Sequence, residues 1–306
     1  MKSYLLRRLR QAAVTLVGVS VLVFVILRVV PGDPAKMLLP DGAPQSAVDE
    51  LNRQLGLREP LWVQYGIFLK SVVRGDFGQS FQYRSPALTV VAERLPATIQ
   101  LTLAAMAQTV ALGVLIGIVA AVRKGTGYDY AGTVLAVLGQ SLPNFWLGIM
   151  LILLFGVTLR WLPTSGFQGW SSLILPSVTL AAYPTALVAR LTRSSMLEIL
   201  SRDYIRTGRA KGLAERMVVL RHALKNATIP VLTVIGLQIG ALLGGAVITE
   251  SVFAWPGMGK LVVDAIFFRD FPVVQTILIF SATVFVVINL VVDVLYTVLD
   301  PRIRYR

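Results

Sequence analysis

Arg190 to Pro230 reads RLTRSSMLEILSRDYIRTGRAKGLAERMVVLRHALKNATIP, a basic interruption between two apolar runs. Nine of its residues are Lys or Arg (Arg190, Arg193, Arg202, Arg206, Arg209, Lys211, Arg216, Arg221, Lys225), against three acids, Glu198, Asp203 and Glu215. Beside a membrane, such an excess places the stretch on the cytoplasmic side. Apolar residues recur at helical spacing: Met196, Leu197, Leu200, Tyr204 and Ile205 before Gly212, then Met217, Val218, Leu220 and Leu224 after it. This is the pattern of two amphipathic helices divided by a glycine. An apolar stripe with a basic face suits a groove on a partner protein. A basic hairpin lying on anionic membrane lipid is the other reading.

Composition bounds the rest. The 306 residues are 55% hydrophobic and 15% charged, with a mean hydropathy of +0.71, which excludes an ordinary soluble domain. There is no cysteine and a single histidine, His222, so disulfides, thiolate metal sites and His-based metal or base chemistry are excluded together. The net charge of +13 does not point to nucleic acid, because the basic excess gathers beside apolar spans, where orientation in the bilayer explains it.

Apolar runs of membrane-spanning length are expected at about 12–30, 97–122, 132–158, 172–189, 229–249 and 273–299. The first follows a basic start at 1–11 and ends without a small-residue cleavage site, so it reads as a retained helix. Residues 31–96 are mixed and nearly charge-balanced, an external segment in which Leu61, Trp62, Tyr65, Ile67, Phe68, Leu69, Val72 and Val73 predict an amphipathic helix. That segment either packs onto the membrane domain or meets a substrate-delivering protein. Gly113 and Gly117 form a GxxxG pair for close helix approach. Pro143, within Ser141-Leu142-Pro143-Asn144-Phe145-Trp146, predicts a kink that lines a pathway or merely accommodates packing. Gly236, Gly240 and Gly244, at four-residue steps, leave one helix edge bare for another helix, and with Gln238 they make the fifth span the first choice for facing a partner subunit or the conduit. Asp293, four residues after Asn289, is the acid inside a span, read as an interfacial anchor or an ion site. Divided by side, 18 of the 29 Lys/Arg fall inside and 11 outside. Six spans with both termini, including the tail 300–306, on the cytoplasmic side follow.

Several segments carry a resemblance. At the spacing of the Glu-Ala-Ala, three residues, then Gly loop of ABC importer permeases, this chain has Arg206-Thr207-Gly208 and Gly212. The glutamate is absent, but Asp203-Tyr204-Ile205-Arg206-Thr207-Gly208-Arg209-Ala210-Lys211-Gly212-Leu213 resembles the variant in dipeptide and oligopeptide permeases, which usually have Ala where Gly208 stands. Pro31-Gly32-Asp33-Pro34, Leu55-Gly56-Leu57, Arg74-Gly75-Asp76-Phe77-Gly78-Gln79-Ser80, the external Trp255-Pro256-Gly257-Met258-Gly259-Lys260 and the tail from Asp300 are similar to the same branch. Gly257-Met258-Gly259-Lys260 is not a phosphate loop, since Ala254 and Leu261 stand where a Walker motif needs Gly and Ser/Thr.

The resemblance spans nearly the whole chain. It implies an all-α integral membrane protein with six transmembrane helices in the type I ABC importer permease fold, with a long external segment after the first helix. The five-helix core would occupy 97–299, with the coupling hairpin at 190–228. The chain would be a permease subunit of a peptide importer in a prokaryotic plasma (inner) membrane. Its implied partners are a second homologous permease, two ATPase subunits that hold ATP and Mg, and an extracytoplasmic solute-binding protein; the chain itself binds no cofactor and is no enzyme. Relatives of this shape import dipeptides, longer peptides, glutathione or nickel chelates. The rivals are a secondary transporter built on Asp293 and a membrane hydrolase. Against them stand the scarcity of intramembrane ionisable groups and the lack of a base near an outer or midplane serine.

Overall fold

In the computed structural model, residues 2–29, 42, 44–54, 59–243 and 246–299 are described. Pro31-Gly32-Asp33-Pro34, Leu55-Gly56-Leu57, Gly244 and the tail from Asp300 lie outside them. The fold is helical, with one isolated antiparallel bridge between Gln79 and Pro86 among the described residues. The helices are α1 (Lys2–Val29), α2 (Gln45–Gln54), α3 (Leu61–Arg74), α4 (Ala87–Val122), α5 (Gly127–Ser141), α6 (Asn144–Thr158), α7 (Ile174–Leu200), α8 (Asp203–Ala210), α9 (Glu215–Leu243), α10 (Val247–Val252), α11 (Met258–Phe267) and α12 (Phe271–Leu299). π-Helical stretches interrupt α4 at Thr109–Gly113 and α9 at Val218–Ala223, and one at Ile152–Thr158 closes α6.

Five helices are long and apolar enough to cross a membrane, and a sixth crossing results if the bent pair α5–α6 counts as one. Charge patterning misplaces several ends. Helix α7 continues eleven residues past Ala189 into the basic stretch, and α9 already starts at Glu215. The hairpin expected over 190–228 therefore contracts to α8 and its flanking turns, since Arg and Lys are good helix formers and do not stop a helix that hydropathy alone would end. The third run is no straight span. Leu142, ahead of Pro143, is extended (φ −79°, ψ 126°), as a pre-proline residue prefers, and the chain restarts as α6 at an angle of 104°.

The described chain forms two compact units. One comprises Lys2–Pro96 and Leu261–Val286. In it α3, at the position the apolar pattern predicts, lies against α1: Tyr65 and Phe68 meet Phe24 with ring centroids 5.4 and 5.7 Å apart, and the Tyr65 and Ser20 hydroxyls are 2.8 Å apart. Arg28 donates to Gln64 Oε1 (2.8 Å) and lies 4.1 Å from the centre of the Phe24 ring. Gly75 ends α3 in the left-handed region (φ 74°), where glycine avoids Cβ strain. The following Asp76-Phe77-Gly78-Gln79-Ser80 turn is held at the start of α12: buried Asp270, just ahead of the helix, accepts from the Ser80 hydroxyl and the Gln82 N–H, and Gln275 donates to the Phe77 carbonyl (3.0 Å).

The other unit contains Ala97–Lys260 and Val287–Arg306. Its centre is α7, the most buried of the long helices. The glycine pair works as expected. A Cβ on Gly113 would come within 3.0 Å of the Thr185 carbonyl, and one on Gly117 within 2.7 Å of the Ala189 carbonyl, so α4 meets α7 backbone to backbone. Helix α5 does likewise: a Cβ on Gly139 would be 3.0 Å from both the Ala182 carbonyl and the Ala186 methyl. Gly236 on α9 faces Val292 of α12, whose side chain a Cβ would overlap. Gly240 is buried. The bare edge of the fifth span is thus occupied, at Gly236, by a helix of the same chain. Its neighbour Asp293 is half-buried and has an interaction partner.

Candidate functional site

Helix α8 hangs from the ends of three long helices. Its one buried residue, Ile205, sits in a cluster with Ala121 of α4, Met196 of α7, and Val218, Val219, Ala223 and Ala227 of α9, bordered by Leu200, Leu213 and Leu224. The apolar stripe is therefore spent largely within the chain. What α8 leaves exposed is Asp203, Tyr204, Arg206, Thr207, Arg209 and Ala210, followed by Lys211 and Gly212, with Met217 and Leu220 exposed at the start of α9. The docking face read from the sequence is brought together, but as a mainly polar and basic surface on an apolar root.

The turn after α8 is closed by backbone and charge. Leu213 N–H reaches the Gly208 carbonyl (3.3 Å) and Gly212 N–H the Arg209 carbonyl (2.9 Å), an ending in which the residue after the helix adopts the left-handed conformation. Gly212 does so, with φ 76°. Arg209 then clasps Glu215 across the turn with two bonds of 3.0 and 2.6 Å. Both partners are substantially exposed, so the pair orients the turn more than it stabilises it. The Tyr204 hydroxyl accepts from Asn226 Nδ2 (3.0 Å), tying the exposed edge of α8 to α9.

The motif Trp255 to Lys260 forms a second, buried cluster whose centre the sequence reading missed. Glu250 on α10 is fully buried and accepts from the Thr98 hydroxyl (2.9 Å) and the Lys260 N–H (3.0 Å). Thr98 accepts in turn from Met258 N–H (2.8 Å). A carboxylate thus meets the otherwise unsatisfied N–H groups that open α11. Gly257 is required because a Cβ there would overlap the carboxyl, and Gly259 because its Cβ would come within 2.7 Å of Val247 Cα. Trp255, wholly buried, donates to the Ala97 carbonyl (2.9 Å) and meets Phe167 edge-on at 5.2 Å; Pro256 leads into α11. The available signal was a lone acid closing an apolar run seven residues before Gly257.

Burial pushes the Glu250 carboxyl above the ordinary range, against the opposing hydrogen bonds from Lys260, Thr98 and Gly259. An acid whose pKa is higher folded than unfolded contributes stability that is full below the unfolded value and is lost as pH rises through the folded one. The melting temperature of the wild type relative to Glu250→Gln should therefore fall as pH climbs out of the ordinary carboxylate range. A pH-independent difference would show that burial does not dominate at this carboxyl.

The C-terminal part of the chain, residues 113–305, matches the family of binding-protein-dependent transport system inner membrane components, and residues 1–102 match the N-terminal model of the same components. The chain belongs to this family. The dipeptide transport system permease protein DppB of Alkalihalophilus pseudofirmus is 43% identical to it, and the glutathione transport system permease protein GsiC of Salmonella choleraesuis 46%, each over the full length of both chains. GsiC of Escherichia coli K12 is 45% identical, again over both full lengths. A solved structure of the MetNI methionine ABC transporter in inward-facing conformations is similar in fold, with a TM-score of 0.54 at 17% identity, over 70% of this chain and 97% of that one.

As a multi-pass inner-membrane component, the protein departs from the peptide-permease pattern at Gly208. A Cβ there would meet Leu213 Cδ1 at 3.5 Å, an ordinary contact. Alanine is favoured over glycine inside a helix by about 1 kcal/mol. Gly208→Ala should therefore leave transport intact and slow hydrogen exchange across α8. A loss of uptake would mean that the bare backbone of Gly208 is itself a contact.

Proposed function

We propose that this inner-membrane component is one of two homologous permease subunits of an ATP-driven importer of short peptides, with glutathione, itself a tripeptide, in the same substrate class. Two ATPase subunits supply ATP hydrolysis with Mg, an extracytoplasmic binding protein delivers the substrate, and both termini are cytoplasmic. The observation that carries the coupling role is the construction of α8: an exposed basic face, Arg206 to Lys211, rooted through Ile205 in the ends of α4, α7 and α9. A push on that face reaches three long helices through packed side chains, and a two-state packing of those helices is what ATP-driven closure would bias.

The deciding experiment is uptake of a labelled dipeptide and of glutathione into proteoliposomes holding the complete complex. ATP-dependent uptake without an ion gradient is the expected result, and uptake driven by a proton or sodium gradient without ATP would favour the secondary transporter. Orientation has its own measurement, eased by the absence of native cysteine. Single cysteines replacing Asp49 and Gln168 should react with an impermeant thiol reagent in intact cells, and those replacing Arg216 and Arg304 should not. The reverse pattern would invert the topology.

A further inference from the structure

Between α4, α5 and α7 runs a groove of about 180 Å³. Its walls are mainly small and apolar: Gly117, Ala120, Gly132, Ala136 and Ala189, with Ile116. Two arginines border it, and they are not equivalent. Arg193 is neutralised by Asp129 through two bonds of 2.6 and 3.0 Å. Arg190 has neither an ion pair nor a hydrogen bond among the described residues. A second donor, Gln140 Nε2, is buried in the same groove without a partner. A buried amide N–H without an acceptor is unfavourable, so this orphan, with the exposed Arg190 beside it, marks a place for a ligand that brings acceptors.

We propose that the groove seats an anionic phospholipid of the cytoplasmic leaflet, with its phosphate on Arg190 and an ester carbonyl on Gln140. The depths agree. Gly139 packs between Ala182 and Ala186, so Arg190 lies about six residues, roughly 9 Å, further along α7, a distance its long side chain can shorten. A diacyl phospholipid presents, in that order, a charged phosphate, ester carbonyls a few ångströms deeper, and then an alkyl chain: two acceptors followed by apolar surface. A passing peptide fits less well, because its own N–H donors find few acceptors on these walls. The reading rests on the orientation proposed above, which places Arg190 at the cytoplasmic interface, where basic side chains meet anionic headgroups.

The test uses the whole complex in nanodiscs of equal phosphatidylglycerol and phosphatidylcholine, with lipid retained after detergent washing read by mass spectrometry. Both lipids offer a phosphate, but the choline ammonium of phosphatidylcholine neutralises its own, so wild type should retain phosphatidylglycerol roughly fivefold over phosphatidylcholine, the scale of one basic side chain facing net anionic lipid. Arg190→Gln should bring that ratio near one, and Lys225→Gln, which alters a cytoplasmic charge elsewhere, should leave it unchanged. Gln140→Leu should keep the headgroup preference and lower total retention, and ether-linked phosphatidylglycerol, which lacks the carbonyls, should reproduce that loss on wild type. Equal retention of the two lipids by wild type, or a preference that survives Arg190→Gln, overturns the proposal. So does displacement of the lipid by dipeptide, or crosslinking of a cysteine at Val137 to the partner permease instead of to a photoactivatable lipid. Lipid retention is read without transport, so failure here leaves ATP-dependent uptake standing, and failure of uptake leaves lipid selectivity readable.

Discussion

Gly117→Leu should leave little folded permease in the membrane and no measurable uptake. The added Cβ would lie 2.5 Å from Thr192 Cβ and 2.7 Å from the Ala189 carbonyl. Neither obstacle can rotate away, because both are fixed to the backbone of α7. Ordinary overpacking is unfavourable by roughly 1–3 kcal/mol, and here the whole α4–α7 seam must part, taking the contact at Gly113 with it. The control is Gly18→Leu on α1, where a Cβ meets nothing within 4 Å and the same gain in bulk should be tolerated. Membrane level, thermal midpoint and uptake of the two variants decide the matter. Equal behaviour would show that the α4–α7 contact is looser than the backbone distances state.

Ala210→Glu should insert and fold normally yet lose at least about tenfold in ATP-driven uptake. Ala210 is exposed on α8, so the chain itself has room for the larger side chain. A groove complementary to the basic face Arg206 to Lys211 would meet a carboxylate there as a like charge, and like-charge juxtaposition at an interface is unfavourable by several kcal/mol. Gly212→Trp acts differently. No atom lies within 4 Å of the position a Cβ would take there, so crowding within the chain is not the cause; the φ of 76° is, since a bulky residue is strained in that region. The turn should reorganise and misaim Lys211 and Leu213. With Lys225→Gln, an exposed charge outside the face Arg206 to Lys211, as a third variant, retention of the ATPase subunits through purification separates docking from charge: docking spares that variant, and adhesion to anionic lipid does not. Wild-type ATPase retention and uptake in both Ala210→Glu and Gly212→Trp would remove α8 from the coupling route.

What could be read beforehand followed from strong, local signals. Apolar run lengths gave the long helices, and Gly113 and Gly117 announced a close contact, because nothing but a neighbouring backbone profits from two bare positions one turn apart. The Leu142-Pro143 break was expected, though not its 104°, since a proline states where a helix yields and the packing of α6 against α10 states how far. The end of α7 was hidden, because Arg190 and Arg193 look like the end of a membrane run while Arg193 is satisfied by Asp129, sixty-four positions away. Glu250 was missed for a similar reason. Its role depends on Thr98 and on the N–H of Lys260, and the long-range bond to Thr98 leaves no trace in local spacing. The resemblance supplied the external motif by its letters, and the geometry supplies the cause of its glycines.

Pro184 divides α7 unequally. Ten residues precede it in the helix and sixteen follow it down to Leu200, and a proline removes one backbone bond from the ladder and weakens the helix locally. At 1.5 Å per residue the whole rod is about 40 Å long. The arm carrying Ala189, Thr192 and Met196, clamped to α4 and to the root of α8, is about 24 Å, and the outer arm about 15 Å. Because the rod is weakest at the proline and is held on both sides of it, at Ala182 and at Ala186, by α5, a displacement of the Leu200 end is taken up there as bending. An ångström-scale stroke at Ile205 would thus move the longer arm with the helix ends it packs against, while the shorter arm beside the enclosed Glu250 region keeps its place.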